Sequence, residues 1–238
     1  VCSSDLKYTK DKIISCIDPD SRVAFKTNTI RKTGYKDHII VDEESEIILG
    51  SEQTPFNVND DKKLINLIKK VDRNFNLNPD EISADKAYGT INNRAYLKDN
   101  NMKANIAFYD NSSKEYGKYD VSKFNISEDL KSVVCPNKCY TDVVQISEQG
   151  KVLTFKFMKD DCRNCPLKNK CFTEGEIKKG VKTRRLKVSI RHDAILRDLS
   201  RNQTEEFNTA NNKRYKVERR FATLVRNHGL RRCRYLRL

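Results

Sequence analysis

The first patterned stretch of the chain is Arg22-Val23-Ala24-Phe25, followed by Gly34–Asp42, where β-branched and aromatic residues predict extended strands. Asp42-Glu43-Glu44-Ser45 reads as a turn and Glu46–Leu49 as the returning strand. Asp60 and Asp61 are placed to cap a helix whose Leu64, Leu67, Ile68 and Val71 share one face. After Asn78-Pro79, Glu81–Asp85 is a short strand ending in an acid. Thr90 is placed to cap a second helix carrying Ala95, Tyr96 and Leu97, and Ala104–Phe108 is a further apolar strand. Hairpin, helix, strand, helix, strand is the order of an α/β domain with a mixed sheet.

The regularity stops near residue 109. Residues 109–200 hold polar turns, five cysteines and a strand at Val152–Phe157, and read as an insertion or second domain. From Thr204 to about Asn227 the period is helical again, with Phe207, Val217, Phe221, Leu224 and Val225 as its apolar positions. His228-Gly229 supplies the stop, because glycine tolerates the left-handed cap conformation. No internal repeat is visible. Val1–Leu6 has neither cap nor strand period and reads as adapter sequence rather than a natural start. Residues 1–17 are therefore expected to be an unstructured start, and the natural protein to begin further upstream.

Composition sharpens this outline through charge. Of 238 residues, 34% are charged, with 47 Lys and Arg against 33 Asp and Glu. Residues 1–177 carry 28 of each sign; residues 178–238 carry 19 basic and 5 acidic residues, so the whole +14 excess lies in the last part. A field localised in this way concentrates a polyanion such as DNA or RNA. An anionic membrane fits less well, since the basic segment lacks a clean face of large apolar side chains. No apolar run approaches the roughly 20 residues of a membrane span, and the first residues lack the hydrophobic core of a secretory signal.

Two acids stand out. Asp85, at the end of a predicted strand within Ala84-Asp85-Lys86-Ala87-Tyr88-Gly89, can face a cleft from a fixed position, or simply cap the next turn. Arg214 and Glu218 share a helix face, which by itself describes an ordinary surface ion pair. A strand carboxylate and a helix carboxylate can converge on divalent cations beside a phosphate backbone, and Mg²⁺ suits such work. A third carboxylate is expected. Spacing leaves Asp37, Asp42 or an upstream residue for it, and Asp42 precedes a turn where acids serve hydrogen bonding.

These blocks resemble the bacterial insertion-sequence DDE transposases. The Asp85 block, followed by Asn93 and Tyr96-Leu97, is similar to their second-Asp block. Arg214-Tyr215-Lys216-Val217-Glu218-Arg219-Arg220-Phe221 is similar to their terminal Glu block. Asp18-Pro19-Asp20-Ser21-Arg22, Gly34-Tyr35-Lys36-Asp37-His38, Cys162-x2-Cys165-Pro166-Leu167-x3-Cys171 and Gly229-Leu230-Arg231-Arg232-Cys233-Arg234-Tyr235 follow in family order. The chain departs from the pattern at Asn211, where the family has Tyr, and at Val225, where Lys is frequent; Arg226 is adjacent but one helical position, about 100°, away.

The resemblance implies an RNase H-like mixed-sheet α/β core (18–108), interrupted by the cysteine-containing segment (109–200) before a terminal acidic-site helix and basic tail (201–238), and incomplete at its N-terminus. It implies Asp85 and Glu218 as metal-binding catalytic acids using Mg²⁺ or Mn²⁺, and Arg214 as a residue that contacts phosphate or orients the acidic helix; Arg219, Arg226, Arg231 and Arg232, in the basic segment around Glu218, are further candidate phosphate contacts by their charge. The partners are then double-stranded DNA, as transposon ends and target, and further copies of the chain on DNA. The reaction is transposon-end cleavage followed by strand transfer, in a bacterial cytoplasmic, nucleoid-associated setting. The strand carrying the first Asp would precede Asp18 and is missing. A truncated transposase, a catalytically silent DNA-binding fragment and a zinc-stabilised interaction module are the three functions this leaves.

Cys135 and Cys139, with Cys162, Cys165 and Cys171, crowd five thiols into 37 residues. An x2 spacing can put two thiolates on one metal, and structural zinc takes four ligands. The resemblance favours Cys135, Cys162, Cys165 and Cys171 as the set, since Cys139 is not a regular part of the family's pattern; Cys139 can stand in for Cys135 or Cys171, and reduced, partly buried thiols are the plainer reading. Cys2, Cys16 and Cys233 stand apart. His38, His192 and His228 read as strand-surface, solvated or C-capping residues, and Tyr109, Tyr116 and Tyr119 as packing residues of the 109–200 segment.

Overall fold

The computed structural model describes residues 13–25, 31–109 and 118–231. The readings of residues 1–12, Tyr116, Arg232 and Cys233 lie outside these. The chain divides into two units, Val1–Ile106 with Thr204–Leu238, and Ala107–Gln203.

In the first unit, β1 (Arg22–Phe25) pairs antiparallel with the start of β2 (Arg31–Val41), Arg22 lying opposite Gly34. β3 (Ile48–Pro55) pairs with the rest of β2, from Tyr35 opposite Pro55 to Val41 opposite Ile48, with a register shift at Ile40/Val41. The returning strand thus begins later than expected and runs past Leu49 through Ser51, Glu52 and Gln53. Their polarity hides a strand that backbone pairing with β2 secures while one face meets water. The turn before it forms at Asp42, whose Oδ2 accepts from Ser45 N at 2.8 Å and Ser45 Oγ at 2.6 Å.

The helix α1 (Leu64–Phe75) buries Leu64, Leu67, Ile68 and Val71, as its apolar spacing requires, and packs on β3 and β2. Asp60 and Asp61 do not cap it. They occupy a preceding 3-10 turn, Asp60–Lys63, where Asp60 takes Lys36 Nζ at 2.8 Å. Next, β4 (Glu81–Ala84) and β5 (Lys103–Ile106) pair in parallel, Ile82 opposite Ala104, and α2 (Ile91–Asp99) makes the crossover between them. Thr90 stands at the N-cap of α2 without a side-chain hydrogen bond. Leu64, Ile68, Ile82, Leu97, Met102, Ala104 and Ile106 form the core of this unit. Among the described residues β1–β2–β3 and β4–β5 remain separate sheets, so the expected mixed sheet is divided between an antiparallel and a parallel part.

Among the described residues the second unit holds two three-stranded antiparallel sheets. One contains β6 (Asn125–Ile126), β7 (Val133–Val134) and β8 (Tyr140–Thr141); the other is ordered β11-β10-β9, from β9 (Val144–Ile146), β10 (Val152–Lys156) and β11 (Arg185–Ser189). Short helices α3 (Lys159–Arg163), α4 (Lys168–Cys171) and α5 (Glu174–Lys178) lie between β10 and β11, and α6 (His192–Arg201) follows. Alternation along β10 buries Leu153 and Phe155 with Phe124, Val133, Phe157, Phe172, Leu186 and Val188.

The chain then re-enters the first unit as α7 (Glu205–Lys213) and α8 (Tyr215–His228). One continuous helical period is thus divided at Arg214, the C-cap of α7 and N-cap of α8. Thr204 Oγ1 accepts from Phe207 N at 3.2 Å and caps α7, while Gly229, at φ 66°, ends α8. Phe207 and Ala210 are buried, and α7 packs on β5. No residue of α8 is fully buried; Val217, Phe221, Leu224 and Val225 are half-buried. Among the described residues no helix is long and apolar enough to cross a membrane.

Candidate active site

Asp85 follows β4 directly and opens a 3-10 turn, Lys86–Tyr88, by accepting Lys86 N at 2.7 Å. The capping role open to an acid at this position is therefore realised. Around it the turn is held from behind by buried polar groups. Asn93 Nδ2 donates to Tyr88 O at 2.9 Å and to Asp61 O at 2.8 Å. Arg94, 1% exposed, donates from Nε to Gly89 O and from Nη2 to Ile106 O, each at 3.1 Å. A buried guanidinium satisfied by carbonyls at the ends of the turn and of β5 ties the Asp85 loop to the parallel sheet.

His38 adds a second anchor. It is 3% exposed, with Nε2 2.9 Å from Thr54 Oγ1 and Nδ1 3.4 Å from Tyr88 Oη. This corrects the strand-surface reading, because β2 turns this residue inward. Burial lowers the His38 pKa and favours the neutral ring. Burial also pushes the Tyr88 phenol up to about 12, with Asp60 and Asp85 adding to the effect. His192 is likewise buried rather than solvated, at 3% exposure, whereas His228 is exposed in the last turn of α8.

Glu218 lies in the first turn of α8, one turn beyond Arg214. The Arg214 guanidinium reaches both acids: Nη1 is 3.5 Å from Asp85 Oδ1, and Nη2 is 3.5 Å from Glu218 Oε1. Residues 133 positions apart in sequence are thus gathered around one cation. The carboxylates are 62% and 71% exposed, so these contacts add little stability. Their value is positional.

What orients α8 is a set of acids on the β2–β3 turn, which sequence reasoning missed. Glu46, only 10% exposed, pairs with Arg219 and, at 3.1 Å, with Arg220. Glu43 takes Lys213 Nζ at 2.6 Å, and its carbonyl accepts from Lys216 at 2.7 Å. Glu46 sits at φ 57°, a left-handed conformation costing about 1–2 kcal/mol for a residue with a Cβ. No local pattern announces Glu46 as a partner, since Arg219 and Arg220 lie far along the chain.

Arg219 is therefore engaged by protein, whereas Arg226 and Arg231 are exposed and have no ion pair among the described residues. Arg232 lies outside the described residues. Asp42 is taken by Ser45, whose hydrogen bonds hold its carboxyl below the usual range, and burial raises the carboxyl of Asp37 on β2. Among the described residues no three His, Cys, Asp or Glu side chains are grouped to hold a metal ion.

In the second unit, Cys135, Cys139, Cys162, Cys165 and Cys171 line one cavity of about 20 Å³ together with Arg184. All five thiols are free, and Cys16, elsewhere, is exposed. Burial pushes the Cys171 thiol up to about 11; Arg184 opposes that rise and Cys165, Cys162 and Cys135 add to it. Tyr119 packs on the core of this unit, while Tyr109 is 62% exposed.

Residues 134–237 match the family model described as a transposase DDE domain, which supports a DDE-class transposase. The matched stretch takes in Arg214, Glu218 and the five clustered cysteines; Asp85 lies before it. No curated protein and no solved structure matches the chain.

Proposed function

We propose that the chain is the acid-bearing part of a DNA transposase, in which Asp85 and Glu218 bind Mg²⁺ or Mn²⁺ for transposon-end cleavage and strand transfer. The observation that carries this reading is the bridging of the two carboxylates by Arg214, 3.5 Å from each. Both acids offer hard oxygen donors on an accessible surface, which fits a cation that keeps water and phosphate among its ligands. When bound, such ions activate the attacking oxygen and stabilise the leaving oxygen. The remaining work falls to the protein. The Asn93 and Arg94 anchors hold Asp85 at the end of β4, and the Glu46 pairs hold the turn of α8 that bears Glu218. Arg214 turns from the acids toward the phosphate as DNA enters, and Arg226 and Arg231 contact the flanking backbone. On this reading a third acid completes the site; Asp42 serves its turn, which leaves Asp37 or an acid outside the described residues, and pairing of two DNA ends calls for self-association.

The test is strand cleavage and transfer on transposon-end DNA with Mg²⁺ or Mn²⁺, run beside Mn²⁺ titration of the DNA-bound protein. Asp85→Asn and Glu218→Gln are expected to abolish products and weaken Mn²⁺ binding while DNA affinity persists. Unchanged Mn²⁺ binding in both variants would remove the assignment. Arg226→Ala and Arg231→Ala should each lower the salt dependence of DNA binding by about one phosphate contact, and Arg219→Ala should not. The lack of a three-acid group among the described residues favours a second reading, DNA binding without cleavage. Tight DNA binding with no product in either metal selects it.

A further inference from the structure

Three short segments of the second unit deliver cysteines to one cavity. Cys135 and Cys139 flank the β7–β8 turn, where Cys139 N donates to Cys135 Sγ at 3.3 Å and Lys138, at φ 62°, reverses the chain. Cys162 lies on α3, Cys165 follows that helix, and Cys171 ends α4. Backbone N–H groups aimed at sulfur suit a thiolate, since the donor stabilises its charge.

Arg184 provides the independent observation. It is 6% exposed and lines the same cavity. Nη2 donates to Tyr119 O at 2.7 Å, and the guanidinium lies 5.7 Å from the Phe124 ring centre. Its Nε and Nη1, both buried, have no hydrogen-bond partner among the described residues. Glu176 on α5 acts on this cation through space but accepts from neither nitrogen, so the two unused donors still call for charged acceptors. Neutral thiols are weak acceptors, and a disulfide carries no charge. A tetrathiolate zinc centre carries a net charge of −2 and presents sulfur acceptors at this position.

We propose that the second unit binds one structural Zn²⁺ through Cys135, Cys162, Cys165 and Cys171, with Arg184 donating to the ligating sulfurs. Four thiols lose their protons to solvent as four Zn–S bonds form, so affinity rises with pH. Cys139 is left out because its thiol donates to Asn137 O at 3.7 Å, while its N–H already serves Cys135. No three such side chains are yet gathered around one point among the described residues, so binding draws the β7–β8 turn and α4 toward α3. The cavity, about 20 Å³, has room for about one water-sized group. This inference is independent of Asp85 and Glu218.

The test uses the full chain purified under reducing conditions with Zn²⁺ supplied, with metal counted by mass spectrometry and the ligand set read by Co²⁺ substitution. One zinc per chain and the intense visible and thiolate charge-transfer bands of a tetrahedral four-sulfur Co²⁺ centre are expected. Cys162→Ser and Cys171→Ser should lose the metal or the four-sulfur spectrum, and Cys139→Ser should keep both. Arg184→Gln should retain the spectrum but bind zinc about 10–100-fold more weakly, as removal of an outer-shell donor does. If these cysteine variants do not fold, protection of four thiols from alkylation by Zn²⁺ in the unmutated chain still tests the site. Reduced, folded protein without stoichiometric zinc and without thiol protection would overturn the proposal. So would loss of metal in Cys139→Ser with retention in Cys171→Ser.

Discussion

Gly89→Ala tests how the Asp85 turn is held. At φ −75° and ψ 36° this residue is not left-handed, so an added methyl meets no positive-φ penalty. Restricting the unfolded chain would by itself stabilise the protein by about 0.4–1 kcal/mol. Space decides otherwise. A Cβ here would meet Arg94 Nη2 at 2.6 Å, Ile106 Cγ2 at 3.2 Å and the Lys86 carbonyl at 3.2 Å. Lys86 O is backbone, and Arg94 Nη2 is committed to Ile106 O at 3.1 Å, so relief requires breaking a hydrogen bond from a buried charge. That bond contributes about 1.5–3 kcal/mol, and overpacking of this kind costs about 1–3 kcal/mol. The balance is a net loss of about 1–2 kcal/mol. In urea, with a slope of about 2 kcal/mol/M, the unfolding midpoint should fall by about 0.5–1 M. Because Lys lacks the Nη2 atom, Arg94→Lys should reduce the cost of Gly89→Ala by at least about 0.5 kcal/mol in a double-mutant cycle. A Gly89→Ala protein as stable as the parent would refute the steric argument. An equal cost in both backgrounds would exclude Arg94 as its source.

Two further outcomes follow from the same unit. Glu46→Gln should loosen α8 by about 1 kcal/mol, since the Glu46 side chain is only 10% exposed but its arginine partners are more open to solvent. Amide hydrogen exchange should accelerate across residues 215–228 and stay unchanged across 64–75; uniform protection in both would count against a clamp. For His38, burial lowers the folded pKa below the ordinary value of about 6.5. The unfolded chain therefore binds the proton more readily, and stability is full above about pH 6.5 and lost as pH falls through that window. His38→Gln should flatten that part of the pH–stability curve, leaving the slope from His192, whose pKa burial also lowers. An unaltered slope would mean His38 is not the titrating group.

Local pattern determined a good part of this protein. The stripe Leu64, Leu67, Ile68, Val71 carries its own helical period, Leu153 and Phe155 carry the strand period, and Gly229 stops a helix by virtue of having no Cβ. Asp85 and Glu218 could be singled out as candidates because each sits in a short contiguous motif, and the cysteines because their spacing is local. Interactions remote in sequence were not legible. The extension of β3 through Ser51-Glu52-Gln53 is decided by pairing with β2, and the burial of His38 by the face β2 turns inward. The break at Arg214 lies within an unbroken helical period, so the sequence carries no sign of it. Arg219 illustrates the limit most directly. Its charge marks it as a phosphate contact in sequence, yet a glutamate 173 positions earlier takes it. Charge is a property of one residue; its partner is a property of the fold.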